Sequence, residues 1–257
     1  MTTIVGWTMQ HHPEIAVRRV SNERPGAWVR AGWDDMRHFG MASLAHGLLI
    51  SMLGAVLLIV GGTHPYFIAA AISGYLLVGP IMTTGACELS RRRAAGEPTG
   101  FDESLQPLVR HARELFKFGA ILAVVGIVWF AASEVMLRSV LTVTEPRMWG
   151  GYVDMADRTQ ILAYLGSGAV LAAIVFTVSV VAVPLIIDRH VSAEAAMWAG
   201  VKATLANPGP MFRWSLLIVA LTAFGFVTLL VGMVIVAPLL GHATWHAYRD
   251  LVAEAPR

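Results

Sequence analysis

Residues 41–61 read MASLAHGLLISMLGAVLLIVG, a run without one charged side chain. An apolar helix of about 20 residues is long enough to cross the roughly 30 Å hydrocarbon core of a bilayer. Further apolar segments of similar or greater length occupy 66–87, 118–137, 161–187 and 212–247. As one helix the last segment would be about 54 Å long at roughly 1.5 Å per residue, so we expect it to break within 226–232 into two short spans. The sequence therefore predicts an all-α membrane protein with six transmembrane helices.

The composition supports a membrane protein and excludes several other classes. Hydrophobic residues make up 56% of the 257-residue chain and charged residues 14%, against about 45–50% and 25% in ordinary soluble domains. The net charge of +2 is too small to favour nucleic acid as a partner. The single cysteine, Cys87, excludes an internal disulfide. Phosphate loops, nucleophile elbows, His-Glu-x-x-His motifs and dinucleotide fingerprints are all missing from the sequence, so we expect neither an enzyme nor a cofactor.

The distribution of basic residues predicts the orientation of the chain. With six spans and the N-terminus inside, sixteen of the 19 Lys and Arg lie on the cytoplasmic side. The three on the other side are Arg138, Arg147 and Arg158. Such an excess on one side is typical of cytoplasmic loops. We therefore expect a multi-pass protein of the bacterial inner membrane with both termini in the cytoplasm.

Three late prolines, Pro80, Pro184 and Pro238, suggest an internal repeat. Each ends an apolar segment, and an amphipathic segment precedes each predicted pair of spans, at 27–39, 103–116 and 192–205. Such segments are typical of helices lying in the membrane interface. We predict three parallel hairpin repeats, at about 27–93, 101–189 and 192–250, inside one transmembrane domain of residues 25–252. Residues 1–24 are predicted as a polar mobile tail and 253–257 as a C-terminal tail. The alternative is that proline and glycine are simply common in membrane helices.

Counting from these prolines places four ionisable residues at matching positions: Glu88, Asp188, His242 and His246. If the repeats are real, these residues converge at the cytoplasmic end of the bundle. His242 and His246 are four residues apart on one helix face, a spacing by which two imidazoles can bind one metal ion. Ionisable residues within or beside spans are candidates for a site because burying them is costly. The predicted vestibule, for protons or lipid, is lined by these residues and by three arginines: Arg91, Arg92 and Arg249.

The same residues also have a structural explanation, and we favour it over a site. Glu88 lies three and four residues before Arg91 and Arg92, the spacing of ordinary helical ion pairs. The rings of His242, Trp245, His246 and Tyr248 would suit the inner membrane interface, where amphipathic aromatic side chains are common. The arginines would then serve topology and attract anionic lipid headgroups.

Several short motifs resemble those of a known bacterial family. They are GWDD at 32–35, LVGP at 77–80, ELSRR at 88–92, GEP at 96–98 and GHATWHAYRD at 241–250. Over roughly residues 25–252 the chain resembles the domain-of-unknown-function 2189 family of predicted integral membrane proteins. The resemblance implies an inner-membrane protein and leaves its activity open.

Three functions follow as hypotheses. The first is a non-enzymatic accessory or scaffold subunit of a larger membrane assembly, of which respiratory and photosynthetic complexes are examples. The second is a small transporter or lipid-handling protein working through the predicted vestibule. The third is metal or haem binding through His242 and His246. Membrane lipids, with their anionic headgroups at the cytoplasmic face, and other membrane proteins are the expected partners.

Overall fold

The computed structural model describes residues 15–61, 79–140 and 158–253, and these are almost entirely helical. This confirms the all-α prediction for the described part of the chain. The helices are α1 (Arg24–Phe39), α2 (Met41–Gly61), α3 (Thr84–Ala95), α4 (Phe101–Arg110), α5 (Ala112–Val140), α6 (Arg158–Ser179), α7 (Ala182–Arg189), α8 (Ala193–Ala206), α9 (Pro208–Val227) and α10 (Met233–Leu251).

Four stretches in the described residues are long and apolar enough to span a bilayer: Met41–Ile59, Ala112–Ser133, Leu162–Arg189 and Pro208–Val227. The third runs through α6 and α7, across a short break at 180–181. The predicted span at 66–87 lies mostly outside the described residues. The predicted break within 226–232 is confirmed, because α9 ends at Val227 and α10 begins at Met233. However, α10 is not among the four stretches, so the structure supports several spans but does not establish six.

The outward faces of the long helices are apolar. Little of the most apolar part of each stretch is buried: 17% in Ala112–Ser133 of α5 and 22% in Pro208–Val227 of α9. Large aliphatic side chains stand exposed along α2, α5, α6 and α9, such as Ile59, Ile127 and Val219. Apolar patches of this extent are not tolerated against water in soluble monomers. These faces belong against lipid or against other membrane helices.

One end of the bundle carries most of the described polar side chains, and we call it the polar end: α1, α3, α4 and residues 242–251 of α10. Here α10 packs against α1, α2 and α3. Trp28 of α1 and Trp214 of α9 meet edge to face with ring centroids 5.7 Å apart, and both are buried. Trp245 and Tyr248 are also buried within the protein. These two rings therefore do not face lipid as interface anchors, as the sequence suggested, but form part of the core of the polar end.

Close backbone contacts join the helices at their breaks. A proline in a helix leaves the carbonyl one turn earlier without its hydrogen bond, and each late proline of this chain lies near a helix break. Close to each of these prolines, a glycine of another helix lies against a backbone carbonyl. The pairs, glycine first, are Gly241 with Thr83, Gly200 with Thr177 and Gly47 with Val234. A Cβ added to the three glycines would meet those oxygens at 3.0, 2.6 and 1.9 Å. Small residues let membrane helices approach this closely where lipid supplies no hydrophobic drive.

Part of the segment predicted as a mobile N-terminal tail is attached to the bundle. Val17 forms an antiparallel bridge with Val252, and the Arg18 amide donates to the Leu251 carbonyl at 2.7 Å. Asn207, between α8 and α9, accepts from the Val20 amide at 2.8 Å and donates to the Arg18 carbonyl at 2.9 Å. Chain segments near the two termini are therefore held together by backbone hydrogen bonds. Residues 1–14 and 254–257 of the predicted tails lie outside the described part.

Candidate functional site

Asp35 is the centre of the polar end. It lies on the inner face of α1, is 4% exposed, and accepts hydrogen bonds from three other residues. Ser90 Oγ donates at 2.5 Å and His246 Nε2 lies at 2.8 Å from the same carboxylate oxygen, while Arg93 Nη1 donates to the other oxygen at 2.6 Å. Burial by itself raises the pKa of Asp35, but the hydrogen bonds from His246 and Ser90 lower it to about 2. The carboxylate is thus held ionised by its partners.

His242 continues this network into the bundle. Its side chain is fully buried, its Nδ1 lies 2.8 Å from Ser90 Oγ, and its Nε2 lies 2.8 Å from Ser43 Oγ. Because Ser90 gives its single hydroxyl proton to Asp35, the bond between Ser90 and His242 requires a proton on Nδ1. Neutral His242 then accepts at Nε2 from Ser43. The ring also stacks on Phe39, with centroids 5.7 Å apart and an interplanar angle of 17°.

The chain of hydrogen bonds from Asp35 through Ser90 and His242 to Ser43 joins four helices: α1, α3, α10 and α2. We call these four residues, with His246 and Arg93, the clasp. Its members come from positions up to 211 residues apart in the sequence. A buried polar network of this kind is stabilising when every member has its partners. In the clasp both ring nitrogens of His242 and both oxygens of Asp35 are engaged.

Glu88 forms a second, separate network on α3. Its carboxylate accepts from Arg91 at 2.7 and 2.9 Å and from Arg92 Nε at 2.7 Å. Both Glu88 and Arg92 are buried. Arg92 also donates to the Pro98 carbonyl at 3.0 Å and to Gln106 Oε1 at 2.8 Å, which fixes the chain between α3 and α4. The ion pairs expected from the spacing of Glu88 to these arginines are therefore present.

Asp188 and Arg249 lie in other surroundings. The Tyr248 hydroxyl donates to Asp188 Oδ2 at 2.5 Å, which ties α7 to α10. The Arg249 guanidinium stacks over the Trp245 ring, 5.9 Å from its centroid. Of the residues predicted to line a vestibule, the structure brings His242 and His246 into one network and Glu88, Arg91 and Arg92 into another. Glu88 and Asp188 each belong to a different set of contacts within the described residues.

The ring nitrogens of His242 and His246 contact different hydrogen-bond partners and are not directed at one metal position. Both ring nitrogens of His242 face serine hydroxyls, and His246 Nε2 faces Asp35. Across residues 15–61, 79–140 and 158–253, no group of three or more His, Cys, Asp or Glu side chains is arranged to hold a metal ion. The described geometry therefore gives the metal hypothesis no support beyond the spacing of His242 and His246.

Sequence reasoning missed the residues that organise the polar end: Asp35, Ser43, Ser90 and Arg93. Serine is among the least specific of polar residues, and no local spacing links these four. The available signal was indirect. Asp35 falls on the apolar face of an amphipathic segment, beside Met36, one helical turn from Gly32 and two turns from Trp28, where an ionised side chain needs a partner.

Comparison with known proteins supports the resemblance derived from the motifs. The model of the domain-of-unknown-function 2189 family, described as predicted integral membrane protein, matches residues 67–188. This region covers α3 to α6 and most of α7, so the match is narrower than the resemblance seen in the motifs. No curated protein and no solved structure matches the chain.

Proposed function

We propose that this integral membrane protein, similar to the domain-of-unknown-function 2189 family, is a non-enzymatic accessory or scaffold subunit of a larger membrane assembly. The observation that carries the proposal is the state of its buried polar groups. Asp35, Glu88 and His242 are all satisfied by partners within the chain. A site for transport or catalysis needs groups free to receive a ligand or a proton. Asp35 and His242 instead join different helices, and Glu88 holds Arg92, which reaches Gln106 of α4.

The apolar outer faces supply the surface for partners. On α5 the exposed side chains include Val124, Ile127 and Val128, which share one side of the helix by their spacing. Lipid-facing helices associate through van der Waals packing, so a wide aliphatic face can accept either acyl chains or a partner helix. Because α5 is mostly exposed, a partner helix could pack along its whole length.

The orientation proposed for the assembly follows from charge. The basic residues at the polar end include exposed Arg30, Arg37 and Arg110, and a cytoplasmic position for them agrees with the excess of Lys and Arg on that side. In the bacterial inner membrane their partners would be anionic lipid headgroups, each basic residue near the surface contributing about 1 kcal/mol.

We propose an internal repeat whose unit is a short helix followed by a long apolar helix, rather than a short helix followed by two spans. Three times a short helix precedes a longer apolar one: α1 before α2, α4 before α5 and α8 before α9. The recurring contact between a glycine and a carbonyl near each late proline supports the same unit. The number of complete membrane crossings need not be the same in each unit.

Photo-crosslinking in intact membranes tests the scaffold proposal. Benzoylphenylalanine placed at Ile127 should give one discrete adduct with an integral membrane protein, and the same protein should comigrate with the chain in blue-native gels. The matched control is benzoylphenylalanine at Phe118, which is buried and should give no adduct with another protein. Lipid adducts alone from the exposed faces of α2, α5 and α9, together with migration as a lone small species, would rule the proposal out.

A further inference from the structure

The turn between α9 and α10 is apolar and exposed. It comprises Thr228–Gly232, and no Asp, Glu, Lys or Arg occurs between Arg213 and Arg249. Val227 and Leu229 are each 82% exposed and Val231 is 72% exposed. A turn that connects two full spans emerges into water and is normally polar. In water, this turn and the last residue of α9 would expose three large aliphatic side chains.

α9 as a whole is long enough to span a bilayer, but the parts of the two arms that extend beyond the polar end are too short to cross it. Trp214 packs against Trp28 of the polar end, and the backbone of Ala243 lies against Gly32. This leaves about 13 residues of α9 and about nine of α10 for the hydrocarbon, or about 20 Å and about 14 Å of helix. The hydrocarbon core is about 30 Å thick, and apolar helices of this shorter length are typical of re-entrant segments.

Contacts with α2 give the depth of the turn. Ser51 Oγ donates to the Leu230 carbonyl at 3.0 Å, and Ile50 and Leu230 share one apolar cluster. Leu57 and Leu58 pack at the edge of that cluster. Ser51 is the middle residue of α2, which continues for ten more residues to Gly61, about 15 Å at roughly 1.5 Å per residue. If α2 crosses the bilayer, the turn lies near the middle of the membrane.

The backbone of the turn is suited to an environment without water. Each N–H from Thr228 to Val236 has an acceptor within the hairpin, including Gly232 N–H, which donates to Thr228 Oγ1 at 2.8 Å. Irregular backbone at membrane depth requires such internal partners, because each unpaired group costs several kcal/mol there. Leu229 and Leu230 adopt positive φ of 52° and 69°, a conformation that glycine or asparagine would adopt more easily. Leucine at these positions keeps the turn apolar.

From these observations we infer that α9 and α10 form a re-entrant hairpin. Both arms enter from the polar end, and the turn ends in the hydrocarbon region, where Val227, Leu229 and Val231 contact lipid acyl chains. The hairpin replaces the two short spans expected from residues 212–247. The inference is independent of the proposed scaffold role, since it concerns only the position of the turn in the membrane.

Nitroxide depth measurements test the inference on the full chain in lipid vesicles. Single cysteines at Leu229, Met52, Ile59 and Arg30 would be spin-labelled, because these four positions are exposed and tolerate a label. The native Cys87 is buried and should remain unlabelled. The measured quantity is the ratio of relaxation by oxygen, which partitions into lipid, to relaxation by a water-soluble nickel complex.

A re-entrant hairpin predicts the same ratio at Leu229 as at Met52, in the middle of α2. That ratio should exceed the values at Ile59, near the far end of α2, and at Arg30 in the polar end. A ratio at Leu229 equal to or below that at Ile59 would mean that the hairpin crosses the membrane. Reaction of the Leu229 cysteine with a membrane-impermeant maleimide from the side opposite Arg30 would overturn the inference independently.

Discussion

Replacing Asp35 with alanine should lower the free energy of unfolding by about 3 kcal/mol, since buried hydrogen bonds to charged groups contribute about 1.5–3 kcal/mol each. The substitution removes the acceptor of Ser90, His246 and Arg93 together. Ser90 and His242 would lose the arrangement that links α1 to α10. The loss can be measured by denaturation of the purified protein in mild detergent, followed by the fluorescence of its tryptophans.

Asp34→Ala is the matched control for Asp35→Ala. Asp34 is the neighbouring carboxylate, and its side chain is 72% exposed. Within the described residues it accepts from Arg93, at 3.1 Å. Exposed ion pairs contribute about 0–1 kcal/mol, so this variant should unfold almost as the wild type does. Equal effects of the two substitutions would show that the clasp does not hold the helices.

The pH dependence of the Asp35 effect follows from its low pKa. Because the pKa is lowered in the folded state to about 2 from 3.8, the stabilisation is complete above pH 3.8 and is lost as the pH falls from there towards 2. The part of the loss in free energy of unfolding that Asp35→Ala causes by removing this carboxylate should therefore be the same at pH 6 and pH 8.

Replacing Gly47 with alanine should also destabilise the bundle strongly, by about 3 kcal/mol, the upper range for overpacking of a tight contact. The added Cβ would lie 1.9 Å from the Val234 carbonyl oxygen and 2.8 Å from its Cα. These are backbone atoms, which cannot turn aside as a flexible side chain can. Helices α2 and α10 would have to separate, which weakens the bond from Ser51 to Leu230 and that from Ser43 to His242.

Gly166→Ala in α6 is the control for Gly47→Ala. Nothing lies within 4 Å of a Cβ at Gly166, so the substitution adds helix propensity without a clash. It should be neutral or stabilising by up to about 1 kcal/mol. Both variants can be compared by the denaturant concentration at half-unfolding in the same detergent. A Gly47→Ala variant as stable as Gly166→Ala would contradict the close approach of α2 and α10.

The sequence was most informative about features set by the local environment. Apolar runs predicted the helical membrane class because each must bury its own backbone in lipid. The break between α9 and α10 was predicted from length alone. The pairing of Glu88 with Arg91 and Arg92 was predicted because a helix brings residues three and four apart together.

The sequence could not predict how distant segments meet. The clasp joins Asp35, Ser90, His242 and Ser43, whose contacts depend on the packing of four helices rather than on any spacing. The burial of Trp245 and Tyr248 was missed for the same reason, because an amphipathic ring suits a lipid interface as well as a protein core. The attachment of residues 15–20 depends on Asn207, almost 190 positions further along the chain.

We propose that the buried ionisable groups hold this protein together and do not carry a substrate or proton. Glu88→Gln tests it most directly, because Glu88 is buried and its carboxylate accepts hydrogen bonds from both Arg91 and Arg92. Breaking a buried pair costs about 3–5 kcal/mol, so we expect a loss of stability of at least about 2 kcal/mol with a glutamine that keeps the shape. Glu97→Gln, whose side chain is 39% exposed, should change stability little. Unfolding of Glu88→Gln at the wild-type denaturant concentration would contradict the account.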